Sequence, residues 1–309
     1  MNIIGEIFYW VLNASILGAI AGLIVLLLRK VKFLPRFGVY LLWLLPGLRL
    51  WIPVGIANKY SLLNLLSQYV TKTIVVWTSE HGTDLTMTNS LQAAAQYFPI
   101  VYKTPLLKDI FNVAGFIWLI VAIAAILCSI TLYFITNSAL KDAEHLSANL
   151  YQSEKVISPA VYGILKPKII LPVGVVDTDL AYILKHEQLH VRRKDNLWRV
   201  IAVITACVHW FNPLCWLSLK YFFTDMELAC DAGVLKKLPA NNKKAYASAL
   251  LACSSNLGKT YYASAFGGAK TRLRIEAILS YKKLTLLSIL SFSLLFIVIA
   301  LTIITNATG

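Results

Sequence analysis

Residues 184–190 read LKHEQLH. Two histidines, His186 and His190, stand four positions apart, with Glu187 beside the first. On an α-helix, positions i and i+4 share a face, so both imidazoles can reach one metal ion. Glu187 stands where its carboxylate can polarise water at that metal and act as general base. The preceding residues 179–184 (DLAYIL) are good helix formers, and Asp177 or Asp179 can cap the start. The bland reading is two histidines on an ordinary amphipathic helix, and the rest of the chain decides between the two.

A catalytic zinc site needs a third protein ligand and an open position for water. Residues 224–235 read TDMELACDAGVL and place Glu227 and Asp231 one turn apart on a second predicted helix. Glu227 can ligate through its carboxylate. Asp231 can stand behind, holding the free ring N–H of a ligand histidine. The bland reading of Glu227 is a solvated charge. In a chain with 15 acidic residues among 309, a Glu/Asp pair set among Leu228, Ala229 and Cys230 argues for the metal. The five cysteines (Cys128, Cys207, Cys215, Cys230, Cys253) form no CxxC pair. They read as reduced thiols, neither disulfides nor metal ligands.

The chain around this motif is apolar. It is 58% hydrophobic and only 14% charged, with a mean hydropathy of +0.67. A typical soluble domain carries about 25% charged residues, so a polytopic membrane protein is expected, with the lipid bilayer as a partner. The net charge of +14 then marks loops facing the cytoplasmic leaflet. No long basic face calls for direct nucleic-acid binding.

Three uncharged runs, residues 8–28, 113–135 and 284–304, exceed the roughly 20 residues a helix needs to cross. The first is no signal peptide, because its basic residues follow it. Residues 37–57 form a weaker fourth span, interrupted by Pro46, Arg49 and Pro53. Arg29, Lys30, Lys32 and Arg36 lie between the first two spans and place that loop in the cytoplasm. Both termini are then external, as is the loop 58–112. The expected architecture is a mainly α membrane protein of the plasma membrane. Residues 1–135 hold the first three transmembrane helices, 136–283 form one cytosolic domain, and 284–309 carry the fourth helix and a short external tail.

Residues 200–219 are also uncharged. They lie between His190 and Glu227, and a single crossing there would put the ligands on opposite sides of the membrane. The run must therefore be a buried core hairpin or a segment that dips in and returns, turning at Asn212-Pro213. His209, within it, reads as a hydrogen-bonded histidine on an apolar face rather than a ligand.

Upstream, residues 158–172 (SPAVYGILKPKIILP) read as two short strands with a turn near Lys166-Pro167. Peptidases often bind substrate as an added strand. Ile164, Leu165 and Lys166 are the residues expected to lie along it, unless the hairpin only covers the core.

These residues resemble a known family, the integral-membrane zinc metallopeptidases of the BlaR/MecR type. The resemblance rests on SPAVYGILKPKIILP, HEQLHVRRKD (186–195), HWFNPLCW (209–216), ELACDAGVL (227–235) and RLRIEAIL (272–279), in that order and spacing. It implies an α+β gluzincin-like fold for the cytosolic domain. It implies Zn2+ held by His186, His190 and Glu227, and Glu187 as the general base. It also implies a regulated protease that cuts itself or a cytosolic transcriptional repressor. The antibiotic receptors of this type continue into an extracellular penicillin-binding domain, whereas this chain stops at Gly309. It is expected to be either a truncated form or a sensorless relative. The competing functions are a housekeeping membrane protease and a non-catalytic scaffold, and the sequence also admits a homo-oligomer. Residues 256–272 (NLGKTYYASAFGGAKTR) lack periodicity and are rich in small residues, as exposed, readily nicked loops are. If the chain cuts itself, the expected place is within residues 261–268, around Ser264, Ala265 and Phe266.

Overall fold

The computed structural model describes residues 3–31, 33–52, 55–61, 64, 105–156, 158–174, 177–255 and 271–306. The chain is mostly helical. Helix α1 (Ile3–Leu28) is apolar on every face, as a helix is when lipid or protein surrounds it. Helix α4 (Pro105–Ala139) and the last helix, α10 (Leu286–Ile304), share this character. Among the described residues, α1, residues Asp109–Ala139 of α4, and α10 are the three helices long and apolar enough to cross a membrane.

Residues 37–57, read as a weaker and interrupted span, hold two short helices, α2 (Arg36–Leu42) and α3 (Leu44–Trp51), in place of one continuous helix. The break at Trp43 has a local cause. Proline cannot donate a backbone hydrogen bond, and restarting the helix at Leu44 puts Pro46 in a first turn, where no donor is needed. The far end of α3 is tied to the far end of α10. Arg49, 2% exposed, donates from Nε to the Ile303 carbonyl and from Nη2 to the Thr305 carbonyl, both at 2.7 Å.

A four-stranded sheet follows α4. Its strands are β1 (Glu144–Ser147), β2 (Leu150–Gln152), β3 (Ala160–Tyr162) and β4 (Lys168–Leu171), in the order β1-β2-β4-β3. β2 and β4 are parallel and the other pairs antiparallel. β4 is the apolar centre: Ile169, Ile170 and Leu171 are buried. Val161, Ile169 and Leu171 pack on Ile183, with Leu180 and Leu184 beside it. These last three belong to helix α5 (Asp177–Arg193), which carries the LKHEQLH stretch. The sheet is thus the floor on which that helix is laid.

Lys194, in the left-handed conformation (φ +56°, ψ 38°), joins α5 to α6 (Asp195–Val208). Residues 209–212 then turn the chain into α7 (Pro213–Lys237). Asn212 caps α7, its Oδ1 accepting from the Leu214 amide at 2.9 Å, with Pro213 at the first position. The uncharged run 200–219 is therefore a helical hairpin, broken at Asn212-Pro213. Helices α8 (Lys243–Ser255) and α9 (Thr271–Leu279) complete the domain. The two halves of α7 serve different neighbours. Its first half packs with Leu50 and Ala206 through Cys215, Leu219 and Phe223. Its second half packs Val234 and Leu235 against Tyr246 of α8 and Ile278 of α9. α5 crosses α7 at Gly233, where a Cβ would come within 2.6 Å of the Leu189 side chain. Glycine there lets the two motif-bearing helices approach.

Candidate metal centre

α5 turns His186 and His190 inward, leaving them 4% and 5% exposed. Their Nε2 atoms lie 3.0 Å apart. Glu227, on the second half of α7, aims Oε2 at both: it is 3.4 Å from His186 Nε2 and 3.5 Å from His190 Nε2. Donors bound tetrahedrally at about 2.0–2.1 Å from one zinc would stand about 3.3 Å from each other. The three atoms have that spacing, so the donor set fits zinc in both chemistry and size. Glu227 Oε1 is held separately, by Arg199 Nη2 at 2.7 Å.

Each histidine is also gripped on its far side. His190 Nδ1 faces Asp195 Oδ2 at 2.6 Å. His186 Nδ1 lies 2.9 Å from the Tyr246 hydroxyl and 3.2 Å from Asp231 Oδ1. Tyr246 donates in turn to Asp231 Oδ1 at 2.7 Å. Arg274, on α9, closes this group with two bonds of 2.8 Å to the Asp231 carboxylate. Its Nη2 is 3.2 Å from His186 Nε2. The contacts at the two Nδ1 atoms are of the kind that fix the tautomer and the ring direction of a ligand histidine, whereas Arg274 Nη2 approaches His186 from its Nε2 side.

The electrostatics agree with a cation site. Burial alone would lower the histidine pKa values, but facing groups override it. Cys230, Tyr246 and Asp231 hold His186 well above its ordinary value. Cys230, Glu227 and Asp195 do the same for His190. Burial opposes the charge on Glu227 too, yet His190, His186 and Arg274 hold its carboxyl well below the usual range. Asp231 is likewise lowered, by Arg274 and His186 against burial. A cavity that favours protons on both imidazoles also favours a divalent cation in their place.

Cys230 is a second candidate for the third ligand position. Its thiol lies with the two imidazoles, the potential ligand atoms all within 4.8 Å of one another. This contrasts with the expectation that no cysteine stands at the metal. The thiol donates to the His186 carbonyl at 3.5 Å, whereas Glu227 Oε2 is nearly equidistant from both Nε2 atoms.

The other expected site residues are distributed as follows. Glu187 is 8% exposed, on α5 between the histidines. Its charge acts on Tyr162 of β3, whose hydroxyl is raised by burial and then by this carboxylate. The sheet edge beside the motif is therefore β3 itself. Ile164, Leu165 and Lys166 do not lie on it: they form the bend between β3 and β4, and Leu165 is 94% exposed. Gly163, at φ +87°, ends the strand before them. Asn196 at the start of α6 takes the Val161 and Gly163 carbonyls at 3.0 and 2.9 Å. His209 lies at the hairpin tip, hydrogen-bonded to the Leu50 carbonyl at 3.1 Å, as its bland reading had it. Ser264, Ala265 and Phe266 lie outside the described residues. Asp195, Tyr246, Arg199 and Arg274 had no role in the sequence reading. Asp195 had a signal, five residues after His190 within the quoted HEQLHVRRKD stretch.

Comparison with known proteins gives a consistent picture. The sequence profile of the family described as BlaR1 peptidase M56 matches residues 9–278. The methicillin resistance mecR1 protein of Staphylococcus aureus is 34% identical over 106 residues, which are 33% of this chain and 18% of that protein. The regulatory protein BlaR1 of Bacillus licheniformis is 32% identical over 139 residues, 42% of this chain and 23% of that protein. BlaR1 of Staphylococcus aureus is 28% identical over 134 residues, 41% and 23% respectively. The chain thus spans about a fifth of the length of the curated relatives it matches.

Proposed function

The chain belongs to the BlaR1 peptidase M56 family, and from that premise we propose that it is a membrane-embedded, zinc-dependent endopeptidase with a regulatory role. One observation carries the reading: His186, His190 and Glu227 bring three ligand atoms to tetrahedral spacing, with Glu187 one residue from the first. Bound there, zinc supplies a Lewis acid for a peptide carbonyl and for water. The residues do the rest. Glu187 takes the proton from the attacking water and passes it to the leaving amine. Asp195, Asp231 and Tyr246 hold the two imidazoles in register. β3, beside Glu187, is the edge along which a peptide would lie.

We place the domain of residues 136–283 in the cytosol and both termini outside, on the strength of Arg29, Lys30, Lys32 and Arg36. The relatives' descriptions, "regulatory protein" and "methicillin resistance", support signalling over housekeeping. The substrates proposed are a cytosolic transcriptional repressor and the chain itself, within residues 261–268. That stretch lies between α8 and α9, which bring Tyr246 and Arg274 to the metal centre.

The test is incubation of the zinc-loaded protein in lipid nanodiscs beside its Glu187→Gln variant, with fragments mapped by mass spectrometry. Loss of a general base typically costs about 10²–10⁴-fold in rate. The reading expects cleavage only with intact Glu187 and zinc. Equal cleavage by the variant would refute it.

A further inference from the structure

The hairpin α6–α7, which connects the histidine helix to Glu227, has a face that the peptidase reading leaves unused. We propose that this hairpin enters the bilayer from the metal-centre side, turns at residues 209–212 near the bilayer middle, and presents Ile201, Ile204, Trp216 and Leu217 to lipid acyl chains. The inference deepens the membrane-peptidase reading and rests on it.

Two helices set the depth independently. Asn212 at the tip donates to Ser15 Oγ at 2.8 Å, and Ser15 is midway along α1 (Ile3–Leu28). At the other end of the same contact, Arg29 just beyond α1 makes two bonds of 2.9 and 3.0 Å to Asp225. α1 and α7 therefore run parallel and in step for about 20 Å at 1.5 Å per residue. Against α4, Trp118 Nε1 donates to the Val208 carbonyl at 2.8 Å, and Ser129 lies 3.7 Å from Cys207 Sγ. Residues 118 and 129 straddle the middle of the apolar stretch Asp109–Ala139.

The charge pattern gives a similar depth. Arg199 and Lys220 bracket the uncharged run. From Arg199 up to Val208, and from Lys220 back to Asn212, is about 12–14 Å, close to half the roughly 30 Å hydrocarbon thickness. Outward-facing Ile201, Ile204, Trp216 and Leu217 are 37–40% exposed, within this zone.

The tip is also built for a place without water. In lipid, backbone groups must find partners inside the protein. The Val208 carbonyl takes the Trp118 indole, the Trp210 carbonyl takes the Trp216 indole at 3.0 Å, and the His209 carbonyl takes the Asn212 amide at 2.9 Å. His209 itself donates to the Leu50 carbonyl. A turn in water would leave such carbonyls to solvent.

The test is site-directed spin labelling in nanodiscs. Single cysteines at Ile16, Ile204, Leu217 and Lys236 are introduced with Cys128 and Cys253 changed to serine, since the other three cysteines are buried. Collision with oxygen and with a water-soluble nickel chelate reports the environment. Labels at Ile204 and Leu217 should be oxygen-accessible and nickel-excluded, as at Ile16, while the label at Lys236 meets nickel. Nickel access at Ile204 and Leu217 with exclusion at Ile16 would overturn the hairpin insertion and spare the membrane reading. Nickel access at Ile16 as well would overturn both. Exclusion of both probes at Ile204 and Leu217 would mean that protein covers the face, such as a second copy of the chain, and would also overturn the inference. Either position decides alone if the other variant fails to fold.

Discussion

Asp195 and His190 lie five residues apart on different helices, yet their side chains meet at 2.6 Å, His190 Nδ1 against Asp195 Oδ2. The Lys194 joint makes this contact possible. A left-handed residue reverses the chain in one step, so the first residue of α6 looks back at α5. The contact leaves His190 Nε2 free to face the metal position.

Asp195→Ala is therefore expected to weaken zinc binding about 10–100-fold, the usual cost of losing an outer partner of a ligand histidine. Competition with a chelator of known affinity measures it. An unchanged zinc affinity would show that Asp195 does not orient the ring.

Arg274→Ala should act on stability. Asp231 is 1% exposed, and Arg274 supplies two of its hydrogen bonds. Removing one partner of a buried pair typically costs about 3–5 kcal/mol, because the other charge is left uncompensated. Thermal unfolding of the metal-free protein should show it. The double variant Arg274→Leu, Asp231→Asn should recover part of the loss, and a full additive loss would contradict the pairing.

Glu227 and Cys230 compete for the third ligand position, and substitution separates them. Glu227→Gln should abolish stoichiometric zinc binding, since a neutral amide replaces the carboxylate. Cys230→Ser should retain one zinc per chain. The reverse pattern, measured by elemental analysis of the dialysed protein, would give the position to the thiol.

His186 and His190, and Glu227 and Asp231, were legible in the sequence because helical periodicity alone puts each pair on one face. The hairpin break was legible for a similar reason, as Asn212-Pro213 is a local signal. Tyr246 and Arg274 were not, because they come from α8 and α9 and meet the site only through packing around Val234, Leu235 and Ile278. The strand was expected a few residues late: Gly163 ends β3, so Ile164, Leu165 and Lys166 fall in the bend. The interruption of segment 37–57 was legible from its prolines, and the break falls at Trp43, with Pro46 in the first turn of the restarted helix.

The central claim is a zinc ion held by two imidazoles and one carboxylate, and X-ray absorption at the zinc edge on the loaded, nanodisc-embedded protein tests it most directly. The account predicts only nitrogen and oxygen neighbours, at about 2.0–2.2 Å, with two of them imidazoles. A sulfur neighbour at about 2.3 Å would put Cys230 in place of Glu227 and contradict the site described here.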